Sequence, residues 1–340
     1  MKKTLIVLVA ALAVLGIILF KRGSDRKAMQ EDVPALDSTQ KAQVKTLFIY
    51  KKPDTTVLER KDGAWVVKHD AFPVDTGKIN RAMGHIFSLQ AKEKVSQSAA
   101  RVAEYGLDTV EAKHVRVLDE AGKAIAEVVI GKTSGADYSS TYWKWEGKPE
   151  VYRTPGNFAY ELGVKEEEWK ERKLFTFMAK DIKFLEGSWK DTTGAAFAYK
   201  LEATSDSTWK MLQPMDSNRV VKQLATDAAA RFSEMGIDEF VAAADTNVAK
   251  AQNDSARIWA KVTLKNGKTF ELSAGKAYDN FYYVKHPTRT EIVKLSTWRF
   301  DSFKKKPFEL LEAPPAPKDT TAAATAAPAG GATGHEGHGH

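Results

Sequence analysis

The stretch Asp62–Phe87, DGAWVVKHDAFPVDTGKINRAMGHIF, changes period in mid-course. Asp62-Gly63 is a two-residue turn signal between the run TTVLER and the run AWVVK, so the first half reads as a hairpin. After Phe72-Pro73-Val74, Asp75 is placed to cap a first turn. Ile79, Ala82, Met83, Ile86 and Leu89 then recur at helical spacing. Strands followed by an amphipathic helix predict a sheet with one helix packed on it. Working outward, VKTLFIYK (Val44–Lys51) alternates as a strand before the hairpin. HVRVLDEAGKAIAEVVIGK forms a second hairpin after it, followed by the aromatic strand DYSSTYWKWEG and by EVYRT.

The same order returns downstream. IKFLEGSWK, AFAYKLEA and DSTWKML read as strands, and Gln213-Pro214-Met215-Asp216 matches Phe72-Pro73-Val74-Asp75. NRVVKQLATDAAARFSEM is a second amphipathic helix, with Asp216 as its expected cap and Val220, Val221, Leu224, Ala228 and Phe232 on one face. Met235-Gly236-Ile237-Asp238 echoes Tyr105-Gly106-Leu107-Asp108, Ala274-Gly275-Lys276 echoes Ile130-Gly131-Lys132, and NFYYVKH echoes STYWKWE. Trp65 and Trp209 lie 144 positions apart, as do Gly131 and Gly275; Pro73 and Pro214, and Tyr142 and Tyr283, lie 141 apart. The expected fold class is α+β: two tandem repeats of a mostly antiparallel sheet with a packed helix, at 44–163 and 181–303, preceded by one transmembrane helix. Residues 1–22 form the anchor, 23–43 a spacer and 164–180 a connecting helix, while 304–340 form a disordered Pro/Ala/Gly/His-rich tail.

The anchor is Thr4–Phe20, TLIVLVAALAVLGIILF, seventeen residues without a charge. As a helix it would span roughly 25 Å, at the short end of what crosses a bilayer. Ala11-Leu12-Ala13 has the form of a signal-peptidase site, but cutting there leaves too short an apolar core and a greasy new terminus, which favours an uncleaved anchor over a cleaved signal. Basic residues flank both ends, so the charge rule gives no clean orientation. The Met-Lys-Lys start and the absence of cysteine favour an exported domain. A bacterial inner-membrane protein with one span and a periplasmic domain is expected.

The net charge of +7 suggests nucleic acid until it is divided: residues 1–27 hold six Lys/Arg and one Asp, leaving the rest nearly balanced. No nucleic-acid partner is expected. Ile130-Gly131-Lys132 lacks the spacing of a phosphate loop and ends a strand, so it reads as a turn. His69, His85, His114 and His286 are scattered singly and read as surface or packed side chains. His335, His338 and His340 in GHEGHGH are a candidate divalent-metal site, weighed against a solvated low-complexity end. Tyr138, Tyr142, Trp143 and Trp145, with Tyr282 and Tyr283 at the matching place, are a candidate binding surface for glycan or protein, weighed against plain core packing.

The DGAWVV strand, the FPVD helix start, the YGLD loop, the VIGK hairpin end and the aromatic strand before VYR together resemble the bacterial domain-of-unknown-function family 4340. The likeness covers about residues 44–303 and is sharpest at Trp65, Asp75, Gly106, Leu107, Asp108, Gly131 and Lys132. It decays in the second half, where Met235-Gly236-Ile237-Asp238 lacks the Tyr-Gly-Leu core. The resemblance implies an anchored envelope protein, some members lying near gliding-motility-type ABC transporter auxiliary components. It supplies no catalytic residue and no cofactor. The expectation is a non-enzymatic scaffold or auxiliary protein with envelope protein partners. A cell-wall glycan binder is the alternative, and a hydrolase built from scattered carboxylates comes third.

Overall fold

The structure is a computed structural model that describes residues 36–313 apart from 90–92, 109, 111, 135–137 and 206–207. The chain divides into two compact units between Lys173 and Leu174. Both are built of antiparallel strands with a few helices, an α+β to mostly-β architecture. Among the described residues no helix is long and apolar enough to cross a membrane; Thr4–Phe20 lies outside them.

Unit 1 runs β1 (Thr46–Lys51), β2 (Asp54–Lys61), β3 (Ala64–Val67), helix α1 (Thr76–Phe87), β4 (Glu93–Ser96), a 3-10 helix (Ala99–Tyr105), β5 (Lys113–Leu118), β6 (Ala124–Ser134), β7 (Ser140–Trp145) and β8 (Val151–Pro155). Its eight strands lie in the order β3-β2-β1-β5-β6-β7-β8-β4. Asp62 and Gly63 both adopt positive φ (51° and 83°), the geometry that lets a two-residue turn follow the twist of β2 and β3. Alternation places Val67, Leu58, Leu47, Val117 and Ala126 side by side across five strands, all buried. Against this face α1 packs Ile79, Ala82, Met83, Ile86 and Phe87. Asp75 caps α1, its Oδ1 accepting from Lys78 N at 2.9 Å.

Unit 2 runs β9 (Ile182–Lys190), β10 (Ala196–Ala203), β11 (Trp209–Gln213), α2 (Lys222–Ser233), β12 (Glu239–Phe240), α3 (Asn247–Asn253), β13 (Ile258–Leu264), β14 (Thr269–Ala274), β15 (Phe281–Lys285) and β16 (Ile292–Ser296). The strand order is β11-β10-β9-β13-β14 in one sheet and β12-β16-β15 in another. Taken position by position, this is the order of unit 1, interrupted where β6 pairs β7. The apolar row has its counterpart in Met211, Leu201, Leu185, Val262 and Phe270, buried except for a half-buried Phe270. In that register Trp65 and Trp209 hold matching places, two residues before Val67 and Met211.

Several local expectations give way. Residues 164–180 are not a helix but extended chain with 3-10 turns at Glu166–Glu168 and Ala179–Asp181. Their apolar side chains go to separate cores: Trp169 is fully buried in unit 1, with Nε1 donating to Gly163 O at 2.8 Å, and Phe175 stacks on Phe232 in unit 2. One helical stripe could not serve both. Asp216 caps nothing; it forms an exposed pair with Lys210, and α2 starts after Val221 with no side-chain cap. Met235-Gly236-Ile237-Asp238 precedes β12, whereas Tyr105-Gly106-Leu107-Asp108 follows β4, so the echo is not a structural match. The spacer ends early, since Leu36 joins the core and Asp37 caps a 3-10 helix at Ser38–Gln43. The expected disordered tail takes in packed chain, for Leu310 is 1% exposed and its carbonyl accepts from Val221 N at 2.8 Å; residues 314–340 of that tail lie outside the described residues.

Two contrasts test this packing by chemical denaturation. Asp75→Ala should cost about 1 kcal/mol, and Asp216→Ala less than about 0.5 kcal/mol. A Cβ at Gly131 would lie 2.3 Å from Tyr105 O, whereas one at Gly84 in α1 meets nothing within 4 Å. Gly131→Ala should therefore destabilise by about 1–3 kcal/mol, while Gly84→Ala stabilises by about 0.5–1 kcal/mol. Equal effects within either pair would refute the assignment.

Candidate functional site

Six aromatic residues were expected to form a surface, and the structure does not bring them together as one. Trp143 is fully buried in the unit 1 core, its Nε1 donating to Thr154 Oγ1 at 2.8 Å and its ring 5.0 Å from Tyr152. Trp145 packs edge-on to Trp143 and is half-buried. On the opposite face Tyr142 meets Tyr105 at 4.9 Å, covering Leu107, Ala112, Val129 and Val151. Tyr138 is 63% exposed and stands apart in a positive-φ turn. In unit 2, Tyr283 is 8% exposed and its hydroxyl donates to Asp245 at 2.8 Å. Tyr282 lines one cleft of unit 2, edge-on to Phe300, and Tyr283 lines another. Trp143 and Tyr142 thus pack into separate clusters, the core-packing alternative and not a shared surface.

The motif residues of unit 1 converge on one junction. The turn after the 3-10 helix, with Gly106 in the left-handed region at φ 64°, passes directly over β6 at Gly131. Leu107 fills the space beyond it. In unit 2 the end of α3 passes over Gly275 in the same way, a Cβ there falling 2.6 Å from Asp254 Cβ. Here the filler differs. Ser273 stands in the row position that Val129 holds, and the region is a cleft of about 390 Å³ lined by Gln252, Asp254, Ser273, Tyr283, Lys285 and Thr290 among others. Asp254 accepts from Tyr278 Oη at 2.8 Å and from Lys276 N at 3.3 Å. Apart from Tyr283, sequence reading missed these residues because they are spread over about forty positions without a spacing pattern.

Unit 2 also holds a chain of ionised groups. Asp245 pairs with Lys294 Nζ at 2.9 Å, and Lys294 reaches Glu239 at 3.2 Å. The hydrogen bond to Asp245 raises the Lys294 pKa, and the same contact lowers that of Asp245. Asp238 binds Arg299 through both oxygens, at 2.6 and 2.7 Å, and accepts from Ser296 N at 2.7 Å. Burial pushes the Asp238 carboxyl up, but these donors outweigh it and hold it below the usual range. In unit 1, Lys113 donates to the carbonyls of Ala159 and Leu162 at 2.7 and 2.8 Å, and burial lowers its pKa. His114 is buried on Glu146 at 2.8 Å, stacked on Tyr50. Among the described residues no group of three or more His, Asp or Glu could hold a metal ion; His335, His338 and His340 lie outside them.

A depressed carboxyl pKa sets a pH dependence. The folded unit binds the Asp238 proton less readily than the unfolded chain, so this contribution to stability is full above the ordinary Asp value. It disappears as pH falls through and below about 4. Thermal unfolding of Asp238→Asn should show a lower Tm at neutral pH and a flatter decline between about pH 4 and 2 than the parent. An unchanged acid limb would mean that the Arg299 pair contributes nothing.

No curated protein and no solved structure matches the chain. A family model does match, over residues 65–255, from the middle of β3 in unit 1 to just past α3 in unit 2. That span is more than half of the chain and holds Trp65, Asp75, the YGLD turn and the Gly131-Lys132 stretch of β6, and on it the chain belongs to the family described as a domain of unknown function (DUF4340).

Proposed function

We propose that the protein is a membrane-anchored scaffold or auxiliary protein of the bacterial envelope, holding a duplicated α+β unit on the periplasmic side of the inner membrane. It acts through protein partners, an ABC transporter-associated complex among the candidates, and not as an enzyme. The observation that carries this reading is the strand order: β3-β2-β1-β5-β6-β7-β8-β4 in unit 1 recurs through β11-β10-β9-β13-β14 and β15-β16-β12 in unit 2. Duplication supplies two related surfaces on one chain, which suits bridging two partners or two copies of one. The uncharged run Thr4–Phe20 between basic flanks supplies the tether. An aromatic platform made of the two matched strands has less support, since Trp143 and Tyr283 face inward.

The tether is the testable part. The full-length protein should remain with membranes through a high-salt wash, because apolar burial and not charge holds it. Protease added outside spheroplasts should digest the folded units. A version secreted without residues 1–27 should fold yet fail to complement a deletion strain. Release by salt, protection from protease, or full complementation by the untethered form each argues against the reading.

A further inference from the structure

A second cleft in unit 2, of about 360 Å³, opens where β9 ends, β13 begins and β14 ends. Four cations line it: Lys190, Arg257, Lys276 and Lys304. Among the described residues none of the first three enters a salt bridge; Lys304 pairs with Asp301 at 2.8 Å, and Asp254 accepts from the backbone N of Lys276 at 3.3 Å. The acidic residue of the lining, Asp191, is turned into its own loop. Its Oδ1 accepts from Thr193 N at 2.9 Å, Thr193 Oγ1 at 2.6 Å and Ala195 N at 2.9 Å. The lining therefore carries four cations against one carboxylate, and a concave site with such an excess of positive charge concentrates anions. Two aromatic walls complete it. Trp189 is held by stacking on Phe197 at 4.8 Å, and Tyr282 by Phe300 at 5.1 Å.

The corresponding end of unit 1 is closed. By strand register the counterpart of Ile258 is Lys113, whose ammonium donates to the carbonyls of Ala159 and Leu162 and draws that loop over the strand end. With Ile258 in unit 2 that tie is absent, and the end stands open. Lys276 enters the cleft just past the end of β14, whereas its unit 1 counterpart, Lys132, lies within β6, which runs on to Ser134 and does not turn at Gly131.

We propose that this cleft binds an acidic saccharide, a sugar unit carrying a carboxylate or phosphate. The guanidinium of Arg257 offers a planar donor fork matched to either anion, and the lysines add positive charge around it. Trp189 and Tyr282 offer ring faces to the apolar C–H surface of a sugar. A concave site with fixed aromatic walls admits one residue of a chain, whereas a bilayer surface would call for a protruding patch. The inference stands independently of the tether.

The test uses the full-length protein in a polyoxyethylene detergent, with fluorescent oligogalacturonate as probe. Binding should weaken steeply as salt rises from about 50 to 500 mM. The combined variant Lys190→Gln, Arg257→Gln, Lys276→Gln should lose at least about tenfold in affinity. A variant with the same charge change in unit 1 (Lys61→Gln, Lys94→Gln, Lys123→Gln) should stay within about twofold. Thermal unfolding verifies that both variants are folded. Tyr282→Ala should weaken binding at every salt concentration alike, since ring packing is not screened. No binding of oligogalacturonate, equal binding of neutral maltohexaose, or equal losses in the two triple variants overturns the proposal. So does cleft-dependent binding to phosphatidylglycerol vesicles without saccharide binding, which would assign the cleft to a lipid surface.

Discussion

At Gly131 the backbone of one segment lies where a side chain of another would have to be. The carbonyl of Tyr105 comes within 2.3 Å of the position a Cβ would take. This contact sets the rear face of the unit 1 sheet. It fixes the height at which the turn crosses β6, and so brings Leu107 down onto Val129 and Val151. It also explains why two short motifs separated by more than twenty residues travel together, because each is the steric condition of the other. Gly275 repeats the arrangement with Asp254 above it. The constraint has been kept in both units while the material packed beneath it has changed.

That change separates the two units. Where Val129 lies under the crossing turn in unit 1, Ser273 lies there in unit 2, and β14 is not hydrogen-bonded to β15. An apolar plug favours a continuous sheet because covering it removes greasy surface from water. A serine and an aspartate provide no such drive, and their polar atoms are better served facing solvent. One unit thus reads as a closed body and the other as an open one, on the same strand plan.

How much of this the sequence reveals depends on the range of the interactions. The Asp62-Gly63 turn, the cap at Asp75 and the periodicity of α1 are all decided within a few residues, and they are legible. Asp216 occupies the matching place after Pro214 but lies too far ahead of Lys222 to reach the first turn of α2, a difference of a few residues that no pattern marks. The stretch Val164–Phe177 has the charge pattern of a surface helix, yet Trp169 and Phe175 are drawn to different cores. The resemblance between Met235-Gly236-Ile237-Asp238 and the YGLD turn is one of letters, since Met235 follows α2 as Leu89 follows α1. Candidate site residues fared least well. Aromatic strands announce burial and binding in the same way, and the cations Lys190, Arg257 and Lys276 meet only because three strand ends meet.

The segment Pro307–Glu312 closes unit 2 in a manner that bears on how the chain is made. Val221, the residue before α2, has its N–H bound to Leu310 O, and Glu312 N donates to Arg219 O at 2.7 Å. A helix start with no local cap is thus held by residues about ninety positions further on. During synthesis the units emerge in order, and unit 1 has all its parts once Lys173 is clear of the ribosome. Unit 2 cannot secure its first helical turn until the segment Pro307–Glu312 has been delivered. The nascent chain therefore carries α2 as an unfinished element until Leu310 has been added.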